Sequence, residues 1–225
     1  MSKHLERDLE HLQRDILALA ASVEEAIQKG IRALQERDVD LAREVIDGDS
    51  QIDEEENNIE EECLKMLALH QPVARDLRRI AAAMMINMDL ERMADLAEDI
   101  AERAIALARP PLLAIPEKLQ RMTDLTTAMV QQSLDSFVNL DTRQARTVCR
   151  LDDEVDRYND DVIAGIVEVM QENPAMIEPG LSLFSATRHL ERIADHATNI
   201  AEEVIYLVEG EIVRHRPQAF SEKVS

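Results

Sequence analysis

"LERMADLAEDIAE", residues 90–102, returns at residues 190–202 as "LERIADHATNIAE", with nine of thirteen positions identical. Earlier in each half, "DSQIDEEEN" at 49–57 corresponds to "DDEVDRYND" at 152–160, and Pro72 corresponds to Pro174. The offsets are 100, 103 and 102 positions, and so steady a spacing marks an internal repeat. Helix punctuation by Pro72, Pro110, Pro111, Pro116 and Pro174 divides the chain into six segments of helical periodicity. These fall near 2–36, 39–69, 73–108, 117–140, 142–172 and 179–213. Short connections favour antiparallel neighbours, so each half is expected to fold as an up-down-up bundle of three long helices. The predicted fold is all-α: two tandem, pseudo-symmetric three-helix bundles over 1–109 and 114–215, hinged at 110–116, with a tail at 216–225.

Composition agrees. Of 225 residues 45% are apolar and 32% charged, only 2% are aromatic, and there are 5 Gly, which suits long helices rather than sheets. A formal charge of −21 excludes a direct nucleic-acid binder, because phosphate contacts need clustered Lys and Arg; cations and basic protein surfaces fit better. No apolar run approaches the ~20 residues that span a bilayer, and the polar N-terminus does not read as a secretory signal, so a cytoplasmic location is expected. Cys63 and Cys149 form no CxxC and read as two thiols in a reducing compartment.

The repeated segment also carries the chemistry. With each residue advancing 100°, Asp95 and Asp99 follow Glu91 at about 40° and 80°, and Glu98 and Glu102 fall within about 20° of it. Ile86, Leu90, Met93, Ala97, Ala101 and Ala104 form the core-facing stripe, and neither Arg92 nor Arg103 falls among the acids. The acidic face is therefore expected to be unpaired along its own helix. The same i, i+4, i+8 triple recurs as Asp49, Asp53 and Asn57, as Asp152, Asp156 and Asp160, and as Glu191, Asp195 and Asn199. Like charges at i and i+4 destabilise a helix by roughly 0.2–0.5 kcal/mol per pair. One acidic run such as "DEEENNIEEE" reads as a solvated surface; four matched triples on consecutive helices of each repeat point to carboxylate clusters that hold a hard cation. Asp, Glu and Asn oxygens suit Mg, Ca, Mn or oxidised Fe, and a structural zinc site is less natural without nearby Cys or paired His. His189 and His196 lie about 160° and 140° from Glu191 and read as structural. No Glu has a His three residues later, which removes the ferritin-like di-iron class.

With its two copies of ERxAD at 91–95 and 191–195, each followed by IAE, plus "PVARDLRRI" at 72–80 and "NIAEEVIYLVEGE" at 199–211, the chain resembles the PhoU family of accessory regulators of bacterial phosphate-specific transport. The resemblance covers almost the whole chain. It implies two three-helix bundles and metal held by E(D)xxxD motifs, which here are Asp49 and Asp53, Glu91 and Asp95, Asp152 and Asp156, and Glu191 and Asp195. Asp99, Asn199, Asn57 and Asp160 extend that set by helix geometry alone. The implied cofactors are divalent or trivalent metal ions, with iron, zinc, manganese, nickel and magnesium all found among family members. The implied role is a non-catalytic negative regulator of the phosphate-starvation response and of phosphate homeostasis. It would act at the inner membrane face by contact with the phosphate ABC transporter ATPase and the phosphate sensor histidine kinase, as a homodimer.

Two other classes fit some of the residues. A metal-dependent phosphohydrolase could use the carboxylates to activate water, but the sequence offers no obvious nucleophile with a base beside it and no Gly-rich phosphate loop. A plain helical scaffold would leave the acids solvated. Arg75, Arg78 and Arg79 form a basic cluster on an acidic chain; Arg75 and Arg78 share a face that would meet an acidic partner or a phosphate, or pair with Asp76 and neighbouring acids. Ala82, Met85 and Met88 read as a stripe for association or for the bundle core.

Overall fold

The computed structural model describes residues 3–213; the expected tail at 216–225 and the last two residues of the second expected bundle lie outside them. Six long helices follow one another: α1 (Lys3–Glu36), α2 (Val39–His70), α3 (Ala74–Leu107), α4 (Glu117–Asn139), α5 (Thr142–Glu172) and α6 (Ile177–Glu209). There is no strand among the described residues. Helices α1, α2 and α3 pack on one another, as do α4, α5 and α6, and the two sets meet mainly along α3 and α6, with a smaller contact of α1 with α4.

The joints repeat as the motifs do. Arg37 and Leu140, 103 positions apart, both take a left-handed turn, with φ of 57° and 51°. Each is followed by an aspartate that caps the next helix. Asp38 Oδ1 accepts from the backbone N–H groups of Asp40 and Leu41 at 3.1 and 3.0 Å, and Asp141 Oδ1 from those of Arg143 and Gln144 at 2.9 and 3.1 Å. Such caps satisfy otherwise orphaned helix donors and contribute about 1 kcal/mol each.

Helix starts depart from the punctuation reading in one place. Pro174 opens a short 3-10 turn over Pro174–Met176, and α6 begins at Ile177, so that Pro179 sits inside its first turn. Proline is tolerated there because first-turn N–H groups have no intrahelical acceptor to lose. α6 ends earlier than the expected 213, at Glu209, where Gly210 takes φ 75°.

The expected core stripe of α3 is fully buried: Ile86, Leu90, Met93, Ala97, Ala101 and Ala104 are each 0% exposed. Asn87, Asp89, Ala94 and Leu96 are buried too. α3 and α6 pack on each other as well as inside their own bundles, so each needs a second inward face. Small residues permit the close approach of α1 to α3: a Cβ on Gly30 would stand 3.0 Å from the Ala97 carbonyl oxygen. Ala82 belongs to the buried core, whereas Met88 remains exposed.

Candidate metal-binding clusters

The E(D)xxxD pairs of α2 and α3 converge. Asp49, Asp53 and Asp95 each present a carboxylate oxygen, and these oxygens lie within 4.8 Å of one another. Oxygens sharing one cation at about 2.0–2.6 Å lie no more than ~4–5 Å apart, so the trio fits a single coordination sphere. The cluster raises its own proton affinity. Burial pushes Asp49 up, then the charges of Asp53 and Asp95. Asp95 is pushed up by burial, Asp53 and Asp99, and Glu91 by burial, then Asp95, Glu56 and Asp53. Glu98 and Glu56 border the group and are raised in the same way. Asn87, buried in the α3 wall, donates its amide to the Glu56 backbone carbonyl at 3.0 Å and to Glu56 Oε1 at 2.9 Å, and so fixes α2 against α3 beside the cluster.

In the second repeat Asp152 and Asp156 of α5 face Glu191 and Asp195 of α6. Asp195 is pushed up to about 6, by burial first, then by Glu191, Asp152 and Asp156. Asp152 and Asp156 are also raised, each by burial before the charge of its neighbours. This cluster is partly neutralised by protein groups. Arg188 Nη1 pairs with Glu191 Oε1 at 2.9 Å, and Thr198 donates to Asp152 Oδ1 at 3.3 Å. The other Glu191 oxygen, Oε2, is buried without a hydrogen-bond partner. An orphaned carboxylate oxygen beside three further carboxylates suits a cation, because a desolvated acceptor left without a donor is costly. Both clusters therefore fit a hard metal ion by donor chemistry, and the first also fits it by spacing.

Most third members of the triples go elsewhere, while Asp99 stands at the edge of the first cluster. Asn57 donates to the backbone carbonyl of Asp53 at 2.7 Å, and Asp160 stays exposed on α5. Asn199 donates to Asp89 Oδ1 at 3.1 Å across the α3–α6 seam, and Asp99 lies 3.6 Å from His189 Nδ1 of α6. The histidines point away from the carboxylate arc of their own helix, as their angles require, and toward α3. His196 Nδ1 meets the buried Asp89 Oδ1 at 2.8 Å. The contacts Asp89 to Asn199 and His189 to Asp99 link equivalent positions of the two repeats, 89 with 189 and 99 with 199, so a pseudo-twofold axis passes through this seam. Sequence periodicity missed Asp89; its signal was the same offset of 100 that pairs it with His189.

Two further expectations are corrected. The acidic face of α3 is not wholly unpaired, since Arg103 Nη2 bonds Glu102 Oε2 at 3.0 Å: neighbouring residues point apart along the helix, but the long arginine reaches round. A hydroxyl does stand beside a base, because Ser185 Oγ lies 2.9 Å from His189 Nε2, one helical turn away. Both residues sit mid-helix, where backbone N–H groups are already bonded within the helix and do not form a backbone oxyanion hole. The thiols of Cys63 and Cys149 are buried on α2 and α5, and burial pushes each up to about 12. Among the described residues no helix is long and apolar enough to cross a membrane.

Comparison with known proteins gives one answer. The PhoU domain matches twice, over residues 16–104 and 119–204. The phosphate-specific transport system accessory protein PhoU homologue of Aquifex aeolicus is 44% identical over 210 residues, covering 93% of this chain and 95% of that protein. The homologue of the same name from Pseudomonas aeruginosa is 38% identical, covering 96% of this chain and 89% of that protein. Among solved structures, PhoU from Pseudomonas aeruginosa superposes with a TM-score of 0.88 at 38% identity over 92% of this chain and 99% of that one. The phosphate transport system regulatory protein PhoU from Streptococcus pneumoniae gives 0.87 at 31% identity over 93% and 99%. Doubled motifs, doubled helix joints and doubled carboxylate clusters thus coincide with a doubled domain match, and the chain belongs to the PhoU family.

Proposed function

We propose that this chain is a non-catalytic, metal-dependent regulator of phosphate transport that dampens the phosphate-starvation response when phosphate is plentiful. The observation that carries this reading is the convergence of Asp49, Asp53 and Asp95 from two helices onto one point, in a chain whose relatives are named as accessory proteins of the phosphate-specific transport system. A bound cation would supply positive charge that relieves the mutual repulsion of the carboxylates. Asp49 and Asp53 on α2, with Glu91 and Asp95 on α3, would hold it in the first repeat, and Asp152, Asp156, Glu191 and Asp195 in the second. Ligands drawn from two helices fix their relative rotation, so the outer faces of α2–α3 and α5–α6 become defined surfaces. Those surfaces would meet the transporter ATPase and the sensor histidine kinase on the cytoplasmic side of the membrane.

The test is a cell in which this chain is deleted and a phosphate-starvation reporter is followed in high phosphate. Loss of the chain is expected to leave the reporter on, the wild-type chain to silence it, and an Asp95→Ala, Asp195→Ala double variant at equal abundance to fail. A reporter that stays silent without the chain would refute the regulatory role; a fully active double variant would refute the role of metal. A parallel assay of the purified, metal-loaded chain against phosphate monoesters is expected to be flat.

A further inference from the structure

The three arginines of "ARDLRRI" share one cavity. Arg75, Arg78 and Arg79 line a cleft of about 560 Å³ at the end of the molecule where the N-terminal part of α1, the start of α3 and the C-terminal ends of α4 and α6 come together. Apart from Gln13, its other walls are apolar: Leu9, Leu12 and Ile16 from α1, Phe137 at the end of α4, and Leu207 and Val208 from α6. The cleft is therefore built from both repeats.

The alternative of self-pairing is not realised. None of the three guanidinium groups makes an ion pair or hydrogen bond among the described residues, Asp76 included, and Arg78 Nε is buried without a partner among them. Gly210 gives Arg78 its room, since a Cβ there would stand 2.8 Å from Arg78 Nη1. A guanidinium is costly to bury unpaired, and its planar donors match a carboxylate or phosphate. The apolar wall continues onto the surface, with Val208 44% and Leu140, which also lines the cleft, 44% exposed.

From the joint presence of a largely apolar cleft and three unpaired arginines, one of them with a buried Nε lacking a partner, we infer that this end of the molecule is a docking site for an acidic, amphipathic peptide segment of a partner protein. Apolar side chains at helical spacing would enter between α1 and α6, while flanking Asp or Glu pair with Arg75, Arg78 and Arg79. A bare phosphate would leave the apolar walls uncovered. An anionic membrane would meet the whole face of a chain carrying a net charge of −21, whereas a narrow segment meets the arginines within about one Debye length, ~8 Å. The inference rests on the reading of the chain as a regulator that works through protein contacts, and it adds the chemistry of one contact.

The experiment is selection from a displayed library of random 16-residue peptides on the full chain, with counter-selection against an Arg75→Glu, Arg79→Glu variant shown by circular dichroism to be folded. Binders that depend on the cleft are expected to be rich in Asp and Glu, with Leu, Ile or Phe at i, i+3 or i+4. By fluorescence anisotropy the best of them should weaken at least about tenfold with the charge-reversed variant and with Val208→Asp, and should weaken as salt rises. Inorganic phosphate and phosphatidylglycerol vesicles are run beside them. Absence of cleft-dependent peptides, binders without acids, or cleft-dependent binding by phosphate or vesicles alone would each overturn the inference, as would charge reversal that only abolished self-association of the chain. Failure here with an intact reporter response in cells would remove the docking site and leave the regulator standing; a reporter that ignores the chain while acidic peptides still bind would do the reverse.

Discussion

Replacing Asp195 by Asn should stabilise the metal-free protein at neutral pH and leave it unchanged in acid. Burial first, and then the charges of Glu191, Asp152 and Asp156, push the Asp195 carboxyl from 3.8 up to about 6. The folded chain thus binds this proton more tightly than the unfolded chain does. The stability that goes with the protonated form is fully present below about pH 4 and is lost as pH rises through about 6, beyond which the fold must hold the charge against its neighbours. A shift of about 2 units corresponds to at most ~3 kcal/mol. Asp195 opens to solvent on one side even though protein atoms crowd the other, so screening reduces this to ~1 kcal/mol. Asp195→Asn keeps the shape and removes the charge. With a chelator present, its melting temperature at pH 7.5 should exceed wild type by about 2–4 °C and match it at pH 4. Saturating manganese should reverse the order, because a ligand stabilises only the chain that binds it. Melts followed by circular dichroism at pH 4, 5.5 and 7.5, with and without metal, decide the matter. Equal stability at pH 7.5, or the same gain at pH 4, would show that burial and the neighbouring carboxylates do not disfavour the Asp195 charge as the geometry requires.

His196→Leu, which installs the residue that the first repeat has at Leu96, leaves the buried Asp89 with Asn199 alone and should cost about 2–4 kcal/mol in urea denaturation, with much of the loss recovered in Asp89→Asn, His196→Leu. Gly30→Ala should destabilise by about 1–3 kcal/mol because the new methyl presses on the Ala97 carbonyl, whereas Gly165→Ala, which meets nothing within 4 Å, should stabilise by about 0.5–1 kcal/mol; thermal melts of the pair distinguish packing from helix propensity. Arg188→Met, the residue at the matching position of the first repeat, frees Glu191 and should tighten manganese binding in the second repeat by about two- to fivefold in calorimetric titration.

The repeat made most of this architecture legible. Proline punctuation led to six helices, the doubled LER(M/I)AD segment and its steady offset to two bundles, and helix geometry to the four acidic triples, since ligands one turn apart share a face whatever surrounds them. What periodicity could not supply is which face meets which neighbour. A helix packed on both sides, as α3 is, has two buried faces, so the polar Asn87 and Asp89 are 1% and 4% exposed although they lie outside the apolar stripe. The same gap hid that Asn199 reaches across the α3–α6 seam to Asp89, and that Asp99 stands between the first cluster and His189. Helix ends without glycine were legible all the same: the expected ends at 36, 69 and 140 lie within a residue of Glu36, His70 and Asn139, although Arg37, Gln71 and Leu140 take left-handed conformations that L-residues rarely adopt. Arg75, Arg78 and Arg79 were visible as a cluster, but the apolar walls they face come from three other helices.

The measurement that bears most directly on the paired carboxylate clusters is the metal content of untagged protein by mass spectrometry, for wild type, Asp95→Ala and Asp195→Ala. The account predicts bound metal in the wild type, with each variant losing the share held by its own repeat and keeping that of the other. Folded wild-type protein free of metal, or variants that retain the full complement, would contradict it and return the four acidic pairs to the role of solvated helix faces.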